Sequence, residues 1–506
     1  MNKRILLSFF LALAFTFIGQ AQHHFACGTV GHEAKAVSDR LLRNRAAFRS
    51  GFIRSRSTIY LPIKFHIIAR TNGTGGVEED RVYDQLCEIN KDFEDTGIQF
   101  YISDGTFSYI NNDVVYSNHS SGAGSLFMNA AKANDAINIF MPNDAGNGSG
   151  TPGVVLGYYT SQQDWIVVAR AEVGSTRHTM THEIGHFLSL PHPFNGWDIE
   201  FYDEAVHGNP VGPLSPSGIP NEKVDGSNCE TAGDFTCDTA PNYGFGFGWQ
   251  DCNYDAGTMD PDGVVIDTDE SLAMGYFFQC PRSSYYFTPT QATDMQADIA
   301  MSDRNYINLG ITPNTTEITE TTNLIAPEQG EIVSFNAVQL VWEAVSGADF
   351  YQLEYDNTPQ FGSGATTQIV YGNSIVLELE ANTSYFWRVR PLNAYRTCAN
   401  TSQFRAFRTD ATTSTQELDF VSQWLVAPNP VNTGNSVSVN LEAKKAFDTN
   451  LRLLNVTGQL VQDFGRRRME IGSNQFVLDL QALPKGMYLL SLITDEGISS
   501  RRLIVQ

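Results

Sequence analysis

The chain has 506 residues, 42% of them hydrophobic and 18% charged, with a formal net charge of −23 at pH 7. That length suits about three domains. The acidity argues against nucleic acid and anionic membrane as partners, and it favours solubility, with some acids free to bind calcium.

The chain opens on the basic stretch Met1-Asn2-Lys3-Arg4, an apolar run from Ile5 to Ile18, and small residues at Gly19-Gln20-Ala21. This pattern predicts a secretory signal over residues 1–21, hence export to the periplasm or beyond. No later segment has 18 apolar residues in a row, so no stable membrane span is expected. Residues 22–56 hold the basic helical stretch Arg40 to Arg45 and read as a pro-segment ending near Arg54-Ser55-Arg56-Ser57. Tyr60 to Ile68 reads as a strand. Glu79 to Glu94 reads as an amphipathic helix with Val82, Leu86, Ile89 and Phe93 on one stripe. Ile98 to Ile102, Ile137 to Met141 and Trp165 to Ala169 supply further strands.

The run His182-Glu183-Ile184-Gly185-His186-Phe187-Leu188-Ser189-Leu190-Pro191-His192 follows directly. On a helix, His182 and His186 leave the same face one turn apart. Glu183 sits beside them, placed to work on a metal-bound water without ligating the metal. Pro191 ends the helix and lets His192 return as a third ligand. Three neutral imidazoles leave zinc at +2 with an open fourth position, the arrangement of a catalytic site. In a chain with ten histidines, the pattern should arise by chance in roughly one case in several thousand.

This motif resembles that of the metzincin zinc endopeptidases, and His182 to Phe194 is most similar to the pappalysin (cytophagalysin) group. The resemblance implies a multidomain chain. Its catalytic domain, residues 57–310, would be an α/β (α+β) metzincin domain with a mixed twisted sheet and a zinc helix. It implies that Met274, in Ala273-Met274-Gly275-Tyr276, forms a Met-turn beneath the histidines, and that Tyr276 reaches the zinc or the oxyanion. Met259 is the rival, but lacks a Tyr two residues on. The family usually has Gly where this chain has Ser189, and a left-handed conformation there costs Ser about 1–2 kcal/mol. Relatives that cleave before Arg carry an acid just beyond the Met-turn. This chain has Phe277-Phe278-Gln279 instead, so no Arg preference is implied.

Two all-β sandwich domains are expected to follow. After a linker at 311–322, residues 323–412 resemble a fibronectin type III domain, with Leu379, Thr383, Tyr385, Trp387 and Val389 at F-strand spacing and Tyr385 as its tyrosine corner. Residues 424–506 resemble the C-terminal sorting domain of type IX secretion substrates, through Pro428-Asn429-Pro430, Leu454 to Gln459 and Lys485-Gly486-Met487-Tyr488. That implies the type IX machinery as a partner and a secreted or cell-surface destination.

Seven cysteines remain. In an exported protein Cys229, Cys237, Cys252 and Cys280 should form two disulfides. Four cysteines allow three pairings, and the resemblance favours Cys229–Cys252 with Cys237–Cys280. Cys87 reads as a small core residue, and Cys398 receives no role. Cys27 is left unpaired inside the pro-segment. As a thiolate it suits the open zinc position and would close the site in a latent zymogen, the alternatives being a free thiol or a disulfide with Cys87. The segment Gly233 to Thr239 resembles a family segment that binds structural calcium through Asp234, Asp238 and Thr239.

The function expected is therefore a secreted zinc endopeptidase acting on protein or peptide substrates. Water activated at the metal would attack an internal peptide bond, with Glu183 as general base and Tyr276 assisting the oxyanion. Two readings stand beside it: a zinc-binding pseudo-enzyme, and a surface adhesin acting through the fibronectin-like module.

Overall fold

The computed structural model describes residues 27–48, 51–146, 154–247, 249, 251–361, 364–410, 418–455, 459–480, 483–494 and 496–506. The expected signal segment, residues 22–26 and 49–50 of the expected pro-segment, and residues 411–417 between the two expected β domains lie outside them. Among the described residues no helix is long and apolar enough to cross a membrane.

The N-terminal half is built on one mixed sheet. Helix α1 (His32–Ala47) precedes β1 (Ile59–Ala69), α2 (Glu79–Asp92), β2 (Ile98–Ile102), β3 (Ser108–Asn111), α3 (Asp113–Asn118), α4 (Gly122–Ala131), β4 (Ile137–Met141), β5 (Gly157–Thr160) and β6 (Trp165–Val168). The strand order is β2-β1-β4-β6-β5, with β3 also on β1. Strand β1 is central and almost wholly buried, as its run of Ile, Leu and Phe demands. Pro62 is tolerated there because β4 begins pairing only at Ile63. All pairings are parallel except β5 with β6, so β5 is an antiparallel edge.

Helix α5 (Thr179–Phe187) packs on β5 and β6 with all nine residues buried. Irregular chain with the short α6 (Glu204–His207) follows, then α7 (Pro289–Ile299), which starts with a Thr288/Gln291 capping box.

The middle region has two sheets around one core that includes Trp342, Leu353, Trp387 and Val389. The strands are β7 (Leu324–Ala326), β8 (Ile332–Val333), β9 (Val338–Trp342), β10 (Phe350–Asp356), β11 (Thr366–Val370), β12 (Ser374–Leu377), β13 (Ser384–Leu392) and β14 (Arg405–Thr409). They order as β11-β10-β13-β14-β8 and β12-β9-β7. The Tyr385 hydroxyl accepts the Glu380 N–H at 3.1 Å, tying the corner before β13.

The last region repeats the scheme with β15 (Val421–Ala427), β16 (Ser436–Ala443), β17 (Phe447–Asn455), β18 (Leu460–Met469), β19 (Gly472–Asp479), β20 (Gly486–Thr494) and β21 (Gly497–Val505). Its sheets are β15-β16-β19 and β18-β17-β20-β21.

The cysteines correct two sequence expectations. The pairs are Cys229–Cys237, Cys252–Cys280 and Cys87–Cys398, not the crossed Cys229–Cys252 and Cys237–Cys280. A tight turn with Gly233 and Phe235 at positive φ doubles the chain back and brings the Cys229 and Cys237 Cα atoms to 5.0 Å, within disulfide reach. Cys87 is not merely a core residue. It anchors α2 to the middle region across 311 residues of sequence.

Candidate metal centre

The end of α5 decides the geometry. Ser189 N–H donates to the His186 carbonyl (3.0 Å) and Leu190 N–H to the Gly185 carbonyl (2.9 Å), the paired bonds of a Schellman ending. The position that such an ending fills with a left-handed residue is Ser189, at φ 70°. Its hydroxyl is buried without a hydrogen-bond partner among the described residues. Past this turn the chain reverses and brings His192 back to the helix.

His182, His186 and His192 are all buried, and their Nε2 atoms converge: His192 Nε2 lies 3.2 Å from that of His182 and 3.0 Å from that of His186. Each ring is fixed from behind. The His182 Nδ1 bonds the Ala273 carbonyl (2.9 Å), His186 Nδ1 the Leu190 carbonyl (2.8 Å), and His192 Nδ1 Asp198 Oδ1 (2.6 Å). Carbonyls only accept, so Nδ1 carries the proton in His182 and His186. The Asp198 carboxylate selects the same tautomer in His192. Three Nε2 lone pairs therefore face one another, an arrangement hydrogen bonds cannot satisfy and a cation can. Burial, and after it the neighbouring imidazole His192, pushes the His182 and His186 pKa values well down, which keeps both rings neutral.

Glu183 is fully buried one residue from the first ligand position, with Oε1 unpartnered among the described residues. Burial pushes its carboxyl up to about 8. Gly157 of β5 permits this close approach, because a Cβ there would meet Glu183 Oε1 at 3.1 Å. Below the helix, a Cβ on Gly185 would stand 2.3 Å from Met274 Sδ, so the glycine and the buried Met274 are matched. Met259 pairs instead with Val265, in a turn outside this cluster. The Tyr276 ring lies 5.1 Å from that of His192 and 5.8 Å from that of His182.

Cys27 enters from the far N-terminal end. It forms an isolated parallel bridge with Gly157 on the β5 edge, and its Sγ lies 3.5 Å from Glu183 Oε2. Its Sγ and one nitrogen from each histidine all lie within 4.8 Å of one another. Burial, then the Glu183 charge, pushes the thiol well up. The Tyr276 hydroxyl donates to the Cys27 carbonyl (3.4 Å). Helix α1 closes over the site: Arg40 Nη2 donates to the His186 carbonyl at 2.8 Å and the Phe187 carbonyl at 2.6 Å, while its Nε pairs with Asp298 at 3.3 Å.

The acidic segment is only partly assembled. Thr239 Oγ1 donates to buried Asp234 Oδ1 (3.0 Å), but Asp238 turns away, accepting from Thr288 Oγ1 (2.7 Å) and Thr290 N (2.9 Å) at the start of α7. The acid that does approach is Glu222, whose Oε2 is buried without a partner among the described residues. Its carboxyl is pushed up to about 9 by burial and then by the Asp234 charge. Sequence reasoning missed Glu222, Asp198 and Thr29, the last with Oγ1 3.4 Å from Glu183 Oε2. None of them lies in a periodic pattern, and only the folded loops bring them in.

Comparison with known proteins adds two findings. Residues 425–506 match the secretion system C-terminal sorting domain. The chain thus carries a type IX sorting domain and is exported to the cell surface or beyond. It is also 27% identical over 191 residues to an extracellular metalloprotease of Neurospora crassa, covering 34% of this chain and 65% of that protein. It is 28% identical over 195 residues to one of Verticillium alfalfae, covering 35% and 68%. Thus the chain spans just under two thirds of the Neurospora relative's length. Overlap with the chicken CNTN1 FN1-FN3 structure, at TM-score 0.15, 15% identity, 36% of this chain and 63% of that one, is too slight to bear on the fold.

Proposed function

We propose that this chain is an exported zinc-dependent endopeptidase, held latent by its own N-terminal segment. The observation that carries the reading is the convergence of three Nε2 lone pairs, their tautomers set from behind, beside the buried carboxyl of Glu183. The named extracellular metalloproteases support it. We assign residues 57–310 to a metzincin domain of the pappalysin group, residues 323–412 to a fibronectin type III-like module and residues 22–56 to the pro-segment.

In this reading His182, His186 and His192 hold zinc, a donor set of the kind catalytic zinc sites use. When bound, the ion supplies Lewis acidity that polarises a scissile carbonyl and acidifies water. Glu183 takes the proton of the attacking water on a carboxylate oxygen and passes it to the leaving amine nitrogen. The Tyr276 hydroxyl, which donates to the Cys27 carbonyl in the latent form, donates to the oxyanion once the segment leaves. Cys27 Sγ would be the fourth ligand until then, and Met274 packs beneath Gly185 of the helix that carries His182 and His186. Calcium at Asp234 and Thr239 would find a third oxygen ligand in Glu222, whose Oε2 is otherwise an orphan.

The test uses the full chain after limited proteolysis between Arg54 and Arg56, assayed on a proteome-derived peptide library. Internal cuts that vanish with chelator, and in a Glu183→Ala variant that still binds one zinc, are expected. Absence of cutting with zinc bound and the segment removed would overturn the proposal.

A further inference from the structure

A second concavity lies away from the histidines, where the middle region meets the N-terminal sheet domain. It has a volume of about 440 Å³. One wall is the start of α2, the β2–β3 connection and β3, with Glu78, Glu79, Tyr83, Phe107 and Tyr109; the other is β11 and Tyr371. An aromatic series crosses the boundary: Tyr371 to Phe350 (5.6 Å), Phe350 to Tyr83 (5.3 Å) and Tyr83 to Phe107 (5.0 Å). The walls are held in register by the Cys87–Cys398 disulfide and by the Arg390–Asp84 ion pair at 2.6 Å. The groove is therefore preformed, which lowers the ordering cost of binding.

Two features point to the occupant. The first is charge. The Tyr109 hydroxyl donates to Glu79, and the phenols of Tyr83, Tyr109 and Tyr371 are all pushed up, by burial first and then by the Glu79 carboxylate. No Lys or Arg lines the groove among the described residues. Of the neighbouring cations, Lys64 pairs with Asp104, and Arg390 pairs with Asp84 through Nη1 while its Nε and Nη2 are buried without hydrogen-bond partners among the described residues. Acids in the first turn of α2 suit the helix dipole without any ligand. The dipole does not explain why three tyrosine rings gather around them.

The second feature is the edge. Strand β11 ends its sheet, with only β10 beside it among the described residues. Its residues Thr366 to Val370 carry neither charge nor proline, the usual guards of an open edge. Alternate N–H and C=O groups of such a strand point outward, and Thr367, Gln368 and Ile369 line the groove itself.

We propose that this groove docks an extended polypeptide segment that adds to the β11 edge and places an arginine or lysine side chain among Tyr83, Tyr109 and Tyr371, against Glu79. Main-chain pairing supplies general affinity, as in other strand-addition sites. The aromatic and acidic wall supplies selectivity, because a cation over several ring faces beside a carboxylate is attracted by all of them. The site is separate from the histidine cluster and does not depend on peptide-bond hydrolysis there.

The test is calorimetric titration of the full chain carrying Glu183→Ala, so that the probe stays intact. The probe is a capped nine-residue peptide of alternating Thr and Val with a central Arg, beside its uncharged citrulline twin. The Arg peptide should bind on the order of tenfold tighter than the twin. Glu79→Gln and Tyr371→Ala should each remove most of that advantage with the thermal midpoint unchanged, since Tyr371 is 51% exposed. Thr367→Lys, which puts a guarding charge on the edge and in the groove lining, should weaken both peptides, the Arg peptide the more. Equal binding of the two peptides, no binding of either, or Arg-dependent binding untouched by all three variants would overturn the proposal.

Discussion

Helix α5 and strand β16 bury their residues under opposite rules. Strand β16 alternates, hiding Val437, Val439, Leu441 and Ala443 while its Ser and Asn positions lie toward solvent. Its burial follows from side-chain period and hydrophobicity alone. Helix α5 buries everything, including His182, Glu183 and His186. Desolvating such groups is costly unless partners offset it. The partners here are specific: two carbonyls behind the histidine rings, Cys27 and Thr29 on Glu183 Oε2, and a cluster of lone pairs that suits a cation. A segment that hides polar groups against its own hydrophobic interest is where we place the proposed chemistry of this molecule.

The largest effect should come from paired substitutions in the two regions. Glu183→Ala should lower turnover by about 10²–10⁴-fold or more, with stability unchanged or raised because a buried acid with an unpartnered oxygen is gone. Leu441→Ala should cost about 2–5 kcal/mol of stability and leave turnover of the matured enzyme alone. Chemical denaturation run beside peptide assays reads both. A Glu183→Ala protein as destabilised as Leu441→Ala would break the contrast.

Acid titration sharpens it. His66 on β1 is buried against Phe140 at 4.1 Å, and burial pulls its pKa from 6.5 to about 4. The folded value lies below the unfolded one, so the contribution is complete above about pH 6.5 and is lost as pH falls toward 4. Linkage puts the loss at roughly 3 kcal/mol. His66→Phe should flatten that acid limb, and an unchanged limb would contradict it. Asp198→Ala, which frees the His192 ring, should weaken zinc binding about 10–100-fold, measured by competition with a chromogenic chelator. The smallest effect belongs to Ser189→Gly. Removing a left-handed Ser and its orphaned hydroxyl should stabilise by about 1–2 kcal/mol.

The sequence was most legible where one element carries its own period. The strands at Ile98–Ile102 and Ile137–Met141 match their expected spans, and the helix at Glu79 ends two residues early, at Asp92. The i, i+4 histidines could likewise be read from helix geometry, whereas the left-handed Ser189 is expected only through the family resemblance. Long-range contacts could not. Cys87 finds Cys398 through the packing of α2 on the middle region, and Cys229 finds Cys237 through a turn without regular pattern. Asp238, read as a calcium ligand, caps α7 because its chain position falls under that helix's first turn. Arg40, noticed only as part of a basic stretch, reaches the last carbonyls of α5.

The most direct test of the central claim is zinc X-ray absorption on the full chain carrying one equivalent of zinc. A latent centre of His182, His186, His192 and Cys27 predicts three nitrogen scatterers at about 2.0–2.1 Å and one sulfur at about 2.3 Å. The sulfur should be replaced by oxygen in Cys27→Ser. A spectrum of the unaltered chain with nitrogen and oxygen alone would contradict the account.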